Sequence, residues 1–169
     1  MISAAPETPP PAWTPTLGGS GRGLGARLQA VLEAVPGAGV VADVGAGDGQ
    51  VALRLQQRGV RVIATEHGPG AFARLPVRLE RRIGDGFQPF VPGELDGAIV
   101  AGMGSRTMVG ILGRGAAVVE CLSWLVLQPQ QMPALLEEWI LARHWTILAR
   151  TVALQANRPY AVLTVLPRP

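Results

Sequence analysis

The sequence predicts an α/β fold with a mostly parallel, seven-stranded sheet that ends in an antiparallel C-terminal hairpin. The first observation is a strand, a glycine-rich turn, a helix and a second strand within about 27 residues, Val40 to Glu66; this order implies a right-handed βαβ crossover. The second is the alternation of strand and helix patterns that continues along the chain. The third is a pair of closing apolar runs whose join is short enough for a hairpin.

The elements follow in order from Leu24. Apolar residues at i, i+4, i+7 and i+8 from Leu24 predict a first helix, which Pro36 and Gly37 end. Short apolar runs bounded by glycine or polar residues predict strands, and helical spacing between them predicts the connecting helices. The predicted strands are 40–44, 60–63, 77–83, 95–101, 124–127, 146–154 and 160–166; the further helices are 51–57, a short turn or helix at 70–74, 105–112 and 132–142.

Length and composition indicate one domain with an apolar core. The chain has 169 residues, of which 48% are hydrophobic and 16% charged, enough to bury a sizeable core. Residues 1–20 hold five prolines and no apolar periodicity, so we interpret them as a disordered or extended Pro-rich leader and 21–169 as the domain. No apolar run reaches the length of a membrane span and no signal-peptide pattern is present, so we expect a cytoplasmic protein that does not bind membranes.

The basic and metal-binding residue types exclude several chemistries. The chain has no Lys, which removes a P-loop lysine and a Schiff-base lysine. One Cys and two His exclude an internal disulfide and disfavour a zinc site, so we expect no metal. All of the basic residues behind the net charge of +3 are arginines; that set permits a nucleic-acid partner, although composition bias in the genome is the more common cause of such a set.

The turn after the first strand of the βαβ unit is the main candidate site. It reads Asp43-Val44-Gly45-Ala46-Gly47-Asp48-Gly49, and its glycines allow a sharp turn and close approach of a ligand to the backbone. Its G-x-G-x-G spacing differs from the G-x-G-x-x-G of dinucleotide sites. A carboxylate in such a turn repels a pyrophosphate and suits a ligand that carries an ammonium group. Glu66 follows Gly45 by 21 residues, at the end of the next strand, where a carboxylate accepts hydroxyl groups of a ribose.

This D-x-G-x-G-x-G motif resembles motif I of the Rossmann-like class I S-adenosylmethionine-dependent methyltransferases. The resemblance implies S-adenosyl-L-methionine as cofactor. It implies that the Asp43–Gly49 turn holds the methionine end, with Asp43, Gly45, Ala46, Gly47, Asp48 and Gly49 in contact. It further implies that Glu66 binds the ribose, that Asp85 and Gly86 bind the adenine, and that Gly102 lies beside the cofactor. Asp48 fits a helix N-cap equally well.

The order of further motifs resembles the bacterial tRNA (adenine-N1)-methyltransferase family TrmK over about residues 24–166. The matching segments are the L-x-x-R-L-x-x-V helix at 24–31, G-D-G at 84–86, G-M-G at 102–104, L-Q-P at 127–129 and a last strand that begins at Tyr160. Ser105 stands where the family has a fourth-position Gly, and Gln130 where it has Asn. The family's C-terminal helices, which help to grip tRNA, have no counterpart before Pro169, so the resemblance implies a minimal relative.

The resemblance implies methylation of N1 of adenine 22 in tRNA by a bacterial enzyme. Residues that would position the substrate are Gly102, Met103, Gly104 and Gln128, although a loop-capping amide explains Gln128 equally well. Residues that would contact RNA phosphates are Arg22, Arg27, Arg106 and Arg158. We expect a monomer or weak homodimer. Two alternatives remain: a methyltransferase acting on a small molecule or a protein, and a non-catalytic cofactor-binding module associated with RNA.

Overall fold

The computed structural model describes residues 14–16, 23–37 and 39–167. The strands are β1 (Thr14–Thr16), β2 (Val40–Val44), β3 (Arg61–Glu66), β4 (Glu80–Ile83), β5 (Gly97–Met103), β6 (Trp124–Pro129), β7 (Thr146–Gln155) and β8 (Arg158–Leu166). The helices are α1 (Ala26–Ala34), α2 (Gln50–Gln57), α3 (Pro69–Phe72), α4 (Ser105–Arg114), α5 (Ala116–Val119) and α6 (Pro133–Ala142). Apart from β1 and α5, which were not predicted, the alternation of strands and helices is the one predicted from sequence.

The described strands form one sheet in the order β1-β7-β8-β6-β5-β2-β3-β4. Every pairing is parallel except those of β8, which runs antiparallel to β6 and to β7. The predicted class, a mostly parallel seven-stranded sheet with an antiparallel C-terminal hairpin, is therefore confirmed. The sheet also carries β1, which pairs in parallel with β7 along its outer edge. These three residues belong to the leader predicted over 1–20, whose other residues lie outside the described part of the chain.

Apolar side chains cover both faces of the sheet. On one face α1 and α2 pack with Val31, Leu55 and alternate strand residues such as Val41. On the other face α4, α5 and α6 pack with Leu112, Val119 and the intervening strand residues. A central strand with two buried faces is the arrangement that parallel α/β sheets require, and it explains why β2 and β6 read as continuous apolar runs.

Two local predictions from the sequence were wrong. The strand predicted over 77–83 is β4, which begins at Glu80 and not at Val77, a residue that is 85% exposed. The join between β7 and β8 is a two-residue turn, Ala156-Asn157, with φ of 50° and 60°. Positive φ at both positions matches the twist of a tight hairpin, so Pro159, predicted in the join, lies within β8.

Among the described residues, no helix is long and apolar enough to cross a membrane.

Candidate functional site

The candidate site lies where the order of the sheet reverses. β2 occupies the centre, with β3 on one side and β5 on the other, and all three run in parallel. Their carboxyl ends therefore meet at one edge, and the connections leave that edge in opposite directions. Ligands of open α/β sheets bind in the crevice at this position.

The glycine-rich turn between β2 and α2 forms one wall of this crevice. Gly45, Gly47 and Gly49 have φ of 69°, 65° and 75°, a left-handed conformation that glycine adopts without steric cost. The backbone N–H groups of Gly45 and Ala46 both donate to the carbonyl oxygen of Thr65, at 3.0 and 3.1 Å. The turn is thus tied to β3, and α2 begins directly after it.

Asp43, two residues before the first glycine of the turn, is buried with 4% of its surface exposed. It accepts a hydrogen bond from the backbone N–H of Ala52, while its Oδ2 has no hydrogen-bond partner among the described residues. The pKa of Asp43 is raised to about 7, mainly by burial; the nearby carboxylates of Glu66 and Asp48 act in the same direction and the Ala52 bond opposes them. A buried carboxylate oxygen without a partner is costly, so this atom is suited to a ligand that brings a donor or a positive charge.

Glu66 connects the end of β3 to the glycine turn. Its Oε1 accepts a hydrogen bond from the backbone N–H of Gly47. The bond places a carboxylate beside the crevice and leaves its second oxygen available for a hydroxyl group. The ribose-binding role that the motif implies for Glu66 stays a prediction.

The opposite wall is built from the end of β5, the end of β6 and the start of α1. The crevice has a volume of about 260 Å³. Its lining residues are Arg27, Leu28, Asp43, Gly45, Ala46, Gly47, Asp48, Gln50, Val51, Ala101, Gly102 and Gln130. Gly102 has φ of 78°, and the side chain of Met103 covers Gly45 so closely that a Cβ at Gly45 would collide with its methyl group.

Gln128 is completely buried below this wall. Its Oε1 accepts hydrogen bonds from the Arg27 guanidinium at 2.6 Å and from the backbone N–H of Gly102 at 3.2 Å. Its Nε2 donates to the carbonyl oxygen of Pro129. The amide therefore holds Arg27 and Gly102 in position from beneath and does not reach the crevice surface.

Asp85 and Gly86 follow β4 and are not among the residues that line the crevice. Gly84 is tied to β3 by a hydrogen bond from its backbone N–H to the carbonyl oxygen of Glu66. The Asp85 carboxylate forms an ion pair with Arg114 at 2.7 Å. Asp85 and Arg114 line a separate cavity of about 290 Å³ with Gln88 and Gly115, which places Asp85 against the end of α4.

Comparison with known proteins supplies the family. A family model described as a methyltransferase domain matches residues 24–163, which is most of the chain. This chain belongs to the methyltransferase domain family.

The methyltransferase domain is also similar to individual proteins. It is 27% identical over 151 residues to the tRNA (adenine(22)-N(1))-methyltransferase of Bacillus subtilis (strain 168), covering 83% of this chain and 63% of the relative. The crystal structure of the B. subtilis m1A22 tRNA methyltransferase TrmK matches with a TM-score of 0.75 at 26% identity, over 85% of this chain and 66% of that one. The Streptococcus pneumoniae protein Sp1610, solved with S-adenosyl-L-methionine, matches with a TM-score of 0.77 at 25% identity, over 83% and 71% of the two chains. The chain thus spans slightly less than two thirds of the B. subtilis relative.

The arginines expected to contact RNA lie at different places in the methyltransferase domain. Arg22 lies outside the described residues. Arg106 is exposed at the start of α4. Arg158 lies above the Tyr160 ring, 5.1 Å from its centroid, and donates to the carbonyl oxygen of Gln130 at 2.9 Å. Arg27 is half-buried and lines the crevice.

Sequence reasoning missed the part that Tyr160 and Gln155 play beside the crevice of the methyltransferase domain. Two guanidinium groups lie over the Tyr160 ring, that of Arg27 at 5.8 Å and that of Arg158 at 5.1 Å from its centroid. The side chain of Gln155 accepts a hydrogen bond from the backbone N–H of Arg27 at 3.1 Å. Only the Tyr at the start of the last strand was a signal in the sequence, because both contacts join residues far apart in the chain.

Proposed function

We propose that the chain is an S-adenosyl-L-methionine-dependent methyltransferase that modifies N1 of an adenine in tRNA, with adenine 22 as the target. The observation that carries the cofactor is Asp43, which lines the crevice with the glycine turn and whose buried Oδ2 has no partner among the described residues. A carboxylate there attracts a positively charged ligand and repels a pyrophosphate. The similarity to the B. subtilis tRNA (adenine(22)-N(1))-methyltransferase supports the substrate.

In this proposal, different residues bind different parts of the cofactor. S-Adenosylmethionine supplies, when bound, a methyl group made electrophilic by a positively charged sulfur. Asp43 and the turn from Gly45 to Gly49 hold the methionine end, and Glu66 accepts the ribose hydroxyl groups. Asp85 and Gly86 hold the adenine, and Gly102 lies beside the reacting groups.

The domain assists the reaction by orienting the adenine and the methyl donor, and not by transferring a proton. N1 of adenine carries a lone pair, so its attack needs no general base. Gly102 and Gly104 leave space for a flat base to approach the backbone, and Met103 packs over the glycine turn. Gln128 acts beneath them by fixing Gly102 through its backbone N–H. Orientation of two reactants in this manner is a large source of rate enhancement.

The RNA substrate must present an unpaired or flipped adenine, because N1 is blocked in a base pair. Arg22, Arg106 and Arg158 are the proposed phosphate contacts, since guanidinium groups bind phosphate through paired hydrogen bonds. With tRNA as substrate, the protein acts in the bacterial cytoplasm, as a monomer or weak homodimer.

Calorimetric titration with S-adenosylmethionine and methyl transfer to an unmodified tRNA transcript test this function. The expected product is 1-methyladenosine, detected by mass spectrometry of nucleosides, and a matched transcript with guanine at position 22 should remain unmodified. Cofactor binding with no methylation of any tRNA contradicts the proposed substrate and favours a small-molecule or protein acceptor. Absence of cofactor binding contradicts the enzyme assignment and favours a non-catalytic module.

A further inference from the structure

Arg27 is held in a fixed orientation at the edge of the crevice. Its backbone N–H donates to Gln155 Oε1 at 3.1 Å and its guanidinium donates to Gln128 Oε1 at 2.6 Å. The guanidinium also lies over the ring of Tyr160, 5.8 Å from the centroid. The backbone at Arg27 is thus fixed by Gln155 and its side chain by Gln128 and Tyr160, and a side chain held in this way loses little further entropy when it binds a ligand.

The positive charge of Arg27 has no acidic partner within the described part of the chain. The ion pairs there join other residues, and none includes Arg27. Partial burial lowers the pKa of Arg27, and Tyr160 acts in the opposite direction. A partly desolvated cation that is bound only to a neutral amide and a ring is unfavourable until an anion joins it.

The crevice presents this cation and a carboxylate to the same ligand. Arg27 and Asp43 both line it, together with the glycine turn. An α-amino acid group carries an ammonium and a carboxylate on one carbon atom, so it can satisfy Asp43 Oδ2 and Arg27 together. An RNA phosphate offers only the anion and would bring its charge towards Asp43 and Asp48.

We propose that Arg27 binds the α-carboxylate of the amino acid end of the cofactor, and so selects ligands that retain an intact amino acid group. This inference rests on the proposed function and replaces the phosphate contact expected for Arg27 from sequence. Gln128 is then a positioning residue, since its amide directs the guanidinium towards the crevice.

Calorimetry with two ligands tests the inference on the full chain. The first is S-adenosylhomocysteine, which has the amino acid group, and the second is 5′-methylthioadenosine, which lacks it. We expect Arg27→Gln to weaken binding of S-adenosylhomocysteine by roughly tenfold to a hundredfold, the range of a charge-assisted contact. Binding of 5′-methylthioadenosine should stay within about twofold, and Arg27→Lys should restore part of the lost affinity.

Arg61→Gln is the matched control. It removes the same charge at the first residue of β3, whereas the crevice lies at the carboxyl ends of the strands, so both affinities should stay unchanged. Thermal unfolding of each variant checks that the fold is intact. Unchanged binding of S-adenosylhomocysteine by a folded Arg27→Gln variant overturns the inference, and a salt-dependent loss of tRNA affinity in the same variant assigns Arg27 to RNA. An equal loss for both ligands also overturns it. If the wild-type protein binds neither ligand, the proposed function itself fails.

Discussion

At the scale of single residues, Asp43 determines the charge of the crevice. Its pKa of about 7 arises mainly from burial, so the carboxylate ionises within the physiological range. Only the ionised form attracts a positively charged ligand. The residue that selects the cofactor in the proposed function is therefore also the one whose charge responds to pH.

We expect the affinity for S-adenosylmethionine to rise between about pH 6 and pH 8 because Asp43 loses its proton over this interval. The rise approaches roughly tenfold per pH unit below the pKa. Calorimetry across this range measures it. The amino group of the ligand also titrates, so Asp43→Asn serves as the comparison; its affinity should be lower and should rise less. Identical pH profiles for the two proteins would show that Asp43 does not face the ligand.

Asp85 provides a second prediction at this scale. Its carboxylate is shared between the proposed adenine contact and the ion pair with Arg114. Asp85→Ala should weaken binding of S-adenosylmethionine while leaving the melting temperature nearly unchanged, since an exposed ion pair contributes little stability. Arg114→Ala breaks the same ion pair and should leave the affinity unaltered. If both variants lose affinity equally, the ion pair is the important feature and the adenine contact is refuted.

At the scale of elements, local sequence patterns were sufficient where neighbours in the chain are neighbours in space. The β2–turn–α2–β3 unit, with Asp43 and Glu66 at its strand ends, follows from apolar spacing and glycine positions alone. α5 was not predicted, because four residues cannot display helical periodicity. The contact between Arg27 and Gln128 joins residues 101 positions apart, so no local sequence pattern could predict it.

The contact between α6 and β7 gives a prediction for element packing. Arg150 is buried, and its Nε donates to Glu137 Oε2 at 2.7 Å. Glu137→Gln removes the carboxylate beside a desolvated guanidinium, so we expect the free energy of unfolding to fall by about 3 kcal/mol. Denaturant titration measures the loss.

Glu80→Gln is the control for this change, because it alters an ion pair with Arg61 whose side chains are 62% and 39% exposed. Its effect should stay below about 1 kcal/mol. A loss for Glu137→Gln that is no larger than the loss for Glu80→Gln would mean that water reaches the buried pair.

At the scale of the whole molecule, the class of the sheet could be predicted from the sequence, but its outermost strand, β1, could not. The pairing of β1 with β7 depends on two segments more than 130 residues apart, and the proline-rich composition around Thr14–Thr16 favours an extended chain without naming its partner. The crevice followed from general topology, because the order of a parallel sheet fixes where it reverses.

Global stability should also depend on Asp43. Its pKa is about 7 in the folded protein, against the ordinary 3.8 of an exposed Asp side chain, so between these pH values the folded state holds a proton that the unfolded state has released. In the absence of cofactor, the contribution of this group is complete below about pH 4 and is lost as the pH rises to about 7. The difference in unfolding free energy between wild type and Asp43→Asn should fall over this interval. Urea titrations at several pH values measure it, and a constant difference would contradict the raised pKa.

The short strand β1 occupies the outer border of β7, where peptide N–H and C=O groups would otherwise face water. Exposed borders of this kind recruit strands from other molecules and promote aggregation. Proteolytic trimming that removes Thr14–Thr16 would uncover this border while leaving the crevice at the distant β2–β5 reversal intact. We therefore expect trimmed protein to precipitate for a reason unrelated to catalysis, since β1 protects this border against self-association.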